Sequence, residues 1–196
     1  MCDYTARRNK DPYQPSFSTL YDQLSPSNPW TDPWFPPNDS SLVWDNESLD
    51  ILDMVKIGWV RISEYFDSDE FSLFGPDGIT PQDIYQGALG NCWFMSALSS
   101  IAEKPQRVEK MFLNDSNEID KKGVYGIKMY ALGVPHTVLV DDYIPMRKTK
   151  KTHKVLFGGV EGMEHGGDKA LWGLIFEKAF SKFYGNYEHT VGGFSY

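Results

Sequence analysis

The chain is short of cysteine. Its 196 residues hold two, Cys2 and Cys92, ninety positions apart, so no disulfide framework can form, and no CxxC pair marks a zinc or thioredoxin-like site. No stretch approaches the roughly eighteen consecutive apolar residues of a membrane span, and the N-terminal Met-Cys-Asp-Tyr-Thr-Ala-Arg-Arg-Asn-Lys lacks the apolar core of a signal peptide. These absences predict a soluble, cytoplasmic protein in a reducing compartment, with the Asn-x-Ser triplets at Asn38, Asn46 and Asn114 unglycosylated. Basic residues are also in deficit, 19 Lys and Arg against 27 Asp and Glu, for a net charge of −8. A surface of that sign argues against nucleic acid or an anionic membrane as a partner.

Apolar residues are ample. The 41% hydrophobic and 15% aromatic content at this length is enough for one globular domain with a real core. Residues 1–32, with four prolines and no periodicity, read as an extended or disordered tail, and residues 33–196 read as the folded domain.

Within that domain, Gln86-Gly-Ala-Leu-Gly-Asn-Cys92-Trp-Phe-Met-Ser-Ala-Leu98 places a cysteine where a loop rich in small residues becomes an apolar helix. The first N–H groups of such a helix have no intrahelical partners, and with the macrodipole they favour thiolate over thiol. Gly87 and Gly90 permit tight or left-handed turns, so Gln86, six residues upstream, can fold back and aim its amide at a developing oxyanion. The Cys92 N–H would be the second donor. On residue chemistry alone two readings stand for Cys92: a nucleophile, or a structural cysteine buried at the start of a core helix.

The helix from Cys92 carries Phe94, Met95, Leu98, Ile101 and Ala102 and ends at Lys104-Pro105, and a shorter amphipathic helix contains Val108, Met111 and Phe112. Val124–Ala131 and Thr137–Ile144 read as the strands of a hairpin joined by Leu-Gly-Val-Pro, and Val155-Leu-Phe157 as a further strand. Ala170–Phe183 predicts a core helix burying Trp172, Phe176, Ala179 and Phe183, with Glu177, Lys178, Ser181 and Lys182 outward. Asp67 and Asp69 read as a solvated loop, since no EF-hand spacing surrounds them, and the basic run Arg147–Lys154 reads as a solvated hairpin tip.

The string Gln-Gly-x-x-Gly-x-Cys-Trp closely resembles the active-site segment of the calpain family of papain-like cysteine proteases. Phe35-Pro-Pro-Asn-Asp-Ser-Ser-Leu42, Trp59-Val-Arg-Ile-Ser-Glu64, Val138-Leu-Val-Asp-Asp142-Tyr-Ile-Pro145 and Trp172-Gly-Leu-Ile-Phe-Glu-Lys-Ala-Phe-Ser-Lys182 are similar to further family segments in the same order. The resemblance covers residues 33–193. It implies an α+β fold, the first subdomain of a protease core, with the Cys92 helix packed among other helices and a small antiparallel sheet. It also implies Cys92 as nucleophile, Gln86 as oxyanion-hole residue, and protein substrates. A calcium ion would be held by main-chain oxygens of Pro76 and Gly78 and by Asp83. The family's calcium-binding glutamate falls at Ala170, with Asp168 or Glu164 as nearby substitutes.

Papain-type catalysis also needs a histidine base and an orienting asparagine about 130 to 150 residues or more beyond the cysteine. The sequence runs 104 residues past Cys92, and His136, His153, His165 and His189 stand in no matching motif. The expectation is half a catalytic site, to be completed by a second core subdomain in a longer chain. The alternative is a calpain-like interaction module that binds without cleaving.

Overall fold

The computed structural model describes residues 15–43, 57–87, 89–148, 153–155 and 169–192. The elements in chain order are helix α1 (Phe17–Gln23), strand β1 (Ile57–Arg61), helix α2 (Ile62–Tyr65), helix α3 (Cys92–Ala102) and helix α4 (Pro105–Glu109). Strands β2 (Val124–Ala131), β3 (Val134–Asp141), β4 (Tyr143–Lys148) and β5 (His153–Val155) follow, and helix α5 (Trp172–Tyr184) completes the set. Short 3-10 turns lie at Asp39–Ser41, Pro81–Asp83 and Glu188–Thr190.

Helix α3 buries Phe94, Met95, Leu98 and Ala102, and the paired Phe94 and Phe180 rings stack at 4.0 Å against α5. Pro105 stands at the first position of α4, where its missing N–H costs nothing, so the chain breaks between the two helices and restarts. Gly185, at φ +110, ends α5 as a residue without a Cβ can.

The fold is α+β, as expected, but the sheet is two small antiparallel sheets, β1-β4-β5 and β2-β3. The run read as one strand over Thr137–Ile144 is divided. Strand β3 starts earlier, at Val134, and stops at Asp141, and Tyr143 begins β4, which pairs with β1 and not with β2. The physical reason is the Asp141-Asp142 pair. Asp142 carboxylate oxygens hold Arg61 and the Ser63 hydroxyl (2.7 Å), and Asp141 holds Lys178, so the chain turns where both side chains must be buried on different partners. Strands β4 and β5 pair with Met146 opposite Val155, which makes a hairpin of the basic run, although residues 149–152 lie outside the described set. The further strand read at residues 155–157 is instead β5, which ends at Val155, and residues 156 and 157 also lie outside the described set.

The β2-β3 turn is the two-residue Leu132-Gly133, both at positive φ (50° and 77°), with the Leu132 side chain fully exposed. A left-handed leucine is strained by about 1 kcal/mol and gains nothing from packing here. Leu132→Asn is expected to raise the unfolding free energy by about 0.5 to 1 kcal/mol in a denaturant titration.

Two expectations about packing are corrected. The segment to residue 32 is not wholly extended: Ser16 caps α1, and Leu20 packs with Val124 and Leu139. The polar face of α5 does not point to solvent: Glu177, Lys178, Ser181 and Lys182 are all buried. Lys182 meets Asp32 at 2.6 Å and the Leu139 carbonyl at 2.6 Å, so the N-terminal segment folds over that face. Asp67 and Asp69 are exposed, as expected, with the Asp67 carboxylate accepting the Asp69 N–H at 3.0 Å.

Tyr125 and Tyr187 are fully buried, and burial holds both phenols neutral well above the usual tyrosine range. A raised folded pKa gives stability that is intact below pH 10 and lost above it, because the unfolded chain then releases protons that the folded chain keeps. Each tyrosine adds about 1.4 kcal/mol per pH unit to that loss. Tyr125→Phe is expected to flatten the alkaline limb of stability against pH, whatever it does to the plateau.

Candidate active site

Cys92 is the first residue of α3, and its thiol is exposed. The buried structural reading of this cysteine is therefore overturned. The helix starts there because the backbone closes on itself: the Asn91 N–H donates to the Leu89 carbonyl (2.8 Å), and the Asn91 carbonyl accepts from Phe94 (2.9 Å) and Met95 (3.1 Å). The Asn91 side chain makes no capping bond. It points inward, and its Nδ2 donates to Glu177 Oε1 at 2.6 Å in a fully buried pair. Among the described residues, the Cys92 and Trp93 N–H groups meet no acceptor.

Gln86 lies on the loop before the helix. Its Nε2 donates to the Leu89 carbonyl at 3.2 Å, which uses one of its two amide hydrogens to fasten the side chain to the loop. Gly90 does not take the left-handed turn anticipated for it. It allows a close approach instead: Gly192 donates to its carbonyl at 3.0 Å, and a Cβ there would sit 3.4 Å from Val191. Trp93 Nε1 donates to the Thr190 carbonyl at 3.0 Å, so residues 190–192 are pinned alongside the cysteine loop.

Asp83 sits in the Pro81–Asp83 turn, three residues before Gln86, and is 2% exposed. Its carboxylate accepts from Thr80 N (2.9 Å), Thr80 Oγ1 (2.7 Å) and Trp172 Nε1 (2.6 Å). Ser99 of α3 donates to the Pro81 carbonyl at 3.2 Å, so both α3 and α5 hold this turn.

This geometry bears on the calcium that the family resemblance implies. Three donor hydrogens already converge on Asp83, Pro76 is exposed, and the glutamate position is the buried methyl of Ala170. Calcium affinity depends on the number and charge of oxygen ligands, and among the described residues the Asp83 carboxylate is engaged by protein donors and joins no cluster of three such side chains, a poor fit to the ion. Among the described residues, no three His, Cys, Asp or Glu side chains converge, while Glu164 and Asp168 lie outside the described set.

The histidines supply no base near the thiol among the described contacts. The His136 ring packs edge-on to Phe183, and His189 Nδ1 bonds the Tyr184 carbonyl at 2.9 Å. His165 and the side chain of His153 lie outside the described residues.

Sequence reasoning missed Asn91, Glu177 and the Asp83–Trp172 bond. The only signal was the charge pattern of α5, where Glu177, Lys178 and Lys182 interrupt a helix otherwise apolar enough to be buried on every side.

Comparison with known proteins agrees with the motifs. The family model described as calpain family cysteine protease matches residues 30–196. A calpain-type cysteine protease DEK1 of Arabidopsis thaliana is 32% identical over 168 residues, 84% of this chain and 7% of that protein. Calpain-5 of Caenorhabditis elegans is 30% identical over 176 residues, 87% of this chain and 24% of that protein. The calpain-1 catalytic subunit of Bos taurus is 30% identical over 160 residues, 81% of this chain and 21% of that protein. The chain thus spans less than a quarter of the length of these longer relatives. With the ordered motifs, the α+β core and a family match over most of its length, the chain belongs to the calpain family of cysteine proteases.

Proposed function

We propose that this chain contributes the nucleophilic half of a cysteine endopeptidase site that cleaves proteins. The observation that carries the reading is the exposed Cys92 thiol at the uncapped start of a helix that buries Phe94, Met95, Leu98 and Ala102, in a calpain-family chain. The Cys92 sulfur attacks the peptide carbonyl carbon, and the electron pair moves to the carbonyl oxygen, where the Cys92 N–H and the second Gln86 amide hydrogen stabilise it. Collapse breaks the C–N bond. The amine leaves with the proton first taken from the thiol, and water hydrolyses the thioester. The proton carrier, a histidine oriented by asparagine, belongs in this reading to a second core subdomain.

No step is routed through calcium, because the Asp83 turn is held by protein donors. The relatives' names supply cysteine protease activity for those proteins, and its transfer to this chain is the proposal.

The test has two arms. The 196-residue chain alone is expected to show no turnover of a fluorogenic peptide, with or without calcium. Joined to the residues encoded downstream of Tyr196, it is expected to cleave, and Cys92→Ser is expected to abolish cleavage. Turnover by the isolated chain that Cys92→Ser removes would overturn the need for a second half.

The 104 residues after Cys92 hold no histidine in a matching motif, and the second reading is a non-catalytic binding module. A downstream coding sequence without a histidine followed by an asparagine would decide for it.

A further inference from the structure

Asparagine at an N-cap ordinarily turns its side-chain oxygen onto the N–H of the second or third helical residue. At Asn91 this does not happen. Its Nδ2 is drawn 2.6 Å from Glu177 Oε1, a charge-assisted bond with both residues buried, and its Oδ1 is left buried with no donor. An orphaned oxygen is unfavourable, so the bond to Glu177 must outweigh both it and the cap that was given up. The structural consequence falls on Trp93, the second helical residue, whose N–H stays open one residue from the Cys92 thiol, since Phe94 N–H is already held by the Asn91 carbonyl at 2.9 Å.

We propose that Glu177 is a positioning residue for Cys92: by holding the Asn91 amide it prevents the N-cap residue from capping its own helix, which keeps the Trp93 N–H at the helix terminus open to the thiolate. This rests on the reading of Cys92 as the nucleophile. Glu177 acts through its bond to Asn91. Its surroundings fit a fixed role. It lies mid-helix in α5 between core residues, and its charge and that of Asp141 both bear on the buried Tyr187 phenol.

The proposal is tested on the full chain carrying Cys2→Ser, so that Cys92 is the single thiol. The rate of alkylation by iodoacetamide is followed against pH, together with far-UV circular dichroism and the denaturation midpoint. Glu177→Gln retains an acceptor for Asn91, and its profile is expected to stay within about threefold of the parent. Glu177→Ala releases Asn91 to cap the helix, so alkylation at pH 7 is expected to slow about tenfold as the titration midpoint rises by about one unit. Glu177→Ala combined with Asn91→Ala removes the side chain that could cap, and the profile is expected to return toward the parent.

A Glu177→Ala protein with a lower denaturation midpoint but an unchanged alkylation profile would overturn the proposal, leaving Glu177 a purely structural residue. So would a double variant as slow as the single one, or a Glu177→Gln profile displaced downward by about a unit, which would mark a charge effect without positioning. Should Glu177→Ala not fold, Glu177→Asp withdraws the acceptor by one methylene; the same upward displacement supports the proposal, and an unchanged profile overturns it. A parent midpoint at the ordinary thiol value of about 8.5 counts against the activated nucleophile itself, whereas only differences between variants bear on Glu177.

Discussion

Asp141→Ala is expected to destabilise the chain by about 3 to 5 kcal/mol, a large share of the roughly 5 to 15 kcal/mol that holds a typical domain folded. Asp141 is 1% exposed and serves three partners: its Oδ1 holds the Lys178 ammonium and accepts the Tyr143 N–H (2.9 Å), and its Oδ2 accepts the Asp32 N–H (2.7 Å). Removing it leaves Lys178, 1% exposed, with the Tyr143 carbonyl as a neutral acceptor and no counter-charge. Two backbone donors lose their acceptor as well. The expected loss is mostly the cost of the orphaned cation, not the worth of the pair. A double variant, Asp141→Ala with Lys178→Met, is therefore expected to recover a large part of it, and a urea titration of the four proteins measures the coupling. Equal midpoints for the single and double variants would refute this account of the buried charges.

The second large effect is expected at Trp172. It is fully buried, and its indole N–H is one of three donors on the Asp83 carboxylate. Trp172→Ala removes that donor and opens a cavity, for an expected loss of about 3 to 5 kcal/mol. Trp172→Phe keeps much of the volume and isolates the donor, with an expected loss of about 1 to 3 kcal/mol.

The same variants test the role of calcium. An ion bound at Asp83 and present at 100 times its dissociation constant would stabilise the fold by about 2.7 kcal/mol. Because Thr80 and Trp172 already satisfy the carboxylate and Ala170 supplies no ligand, millimolar calcium is expected to leave the unfolding midpoint unchanged against a chelator control. A rise in midpoint with calcium that Asp83→Asn removes would contradict this.

The functional consequence lies in the loop that follows. Asp83 is three residues before Gln86, and its bonds tie the loop base to α5 while Ser99 ties it to α3. A loosened Trp172–Asp83 bond would therefore act on the oxyanion side of the site as well as on stability.

The local signals were sufficient for the helices that begin near Cys92, Pro105 and Trp172, and not for α1, β1 or α2. Residues Cys92–Ala102 form the helix that their apolar spacing predicts, and Pro105 opens the next one. Gln86 and Cys92 were readable because they sit within one short segment, where order along the chain is nearly order in space. Strand limits were less so. Thr137–Ile144 is continuous in β-forming residues, and only the opposed partners of Asp141 and Asp142 divide it.

What the sequence by itself determined was the family, the three helices that begin near Cys92, Pro105 and Trp172, the first hairpin strand, and the cysteine at the head of its helix, all of which are local patterns. Tertiary structure alone decided that Cys92 is exposed while Asn91 beside it is buried, and that Glu177, Lys178 and Lys182 turn inward. It also decided that Asp83 spends its charge on Thr80 and Trp172. The reason is physical: a charged residue is buried only where a partner of opposite charge or a matching donor waits. Apart from Thr80, three positions from Asp83, the partners of these residues lie 37 to 150 positions away.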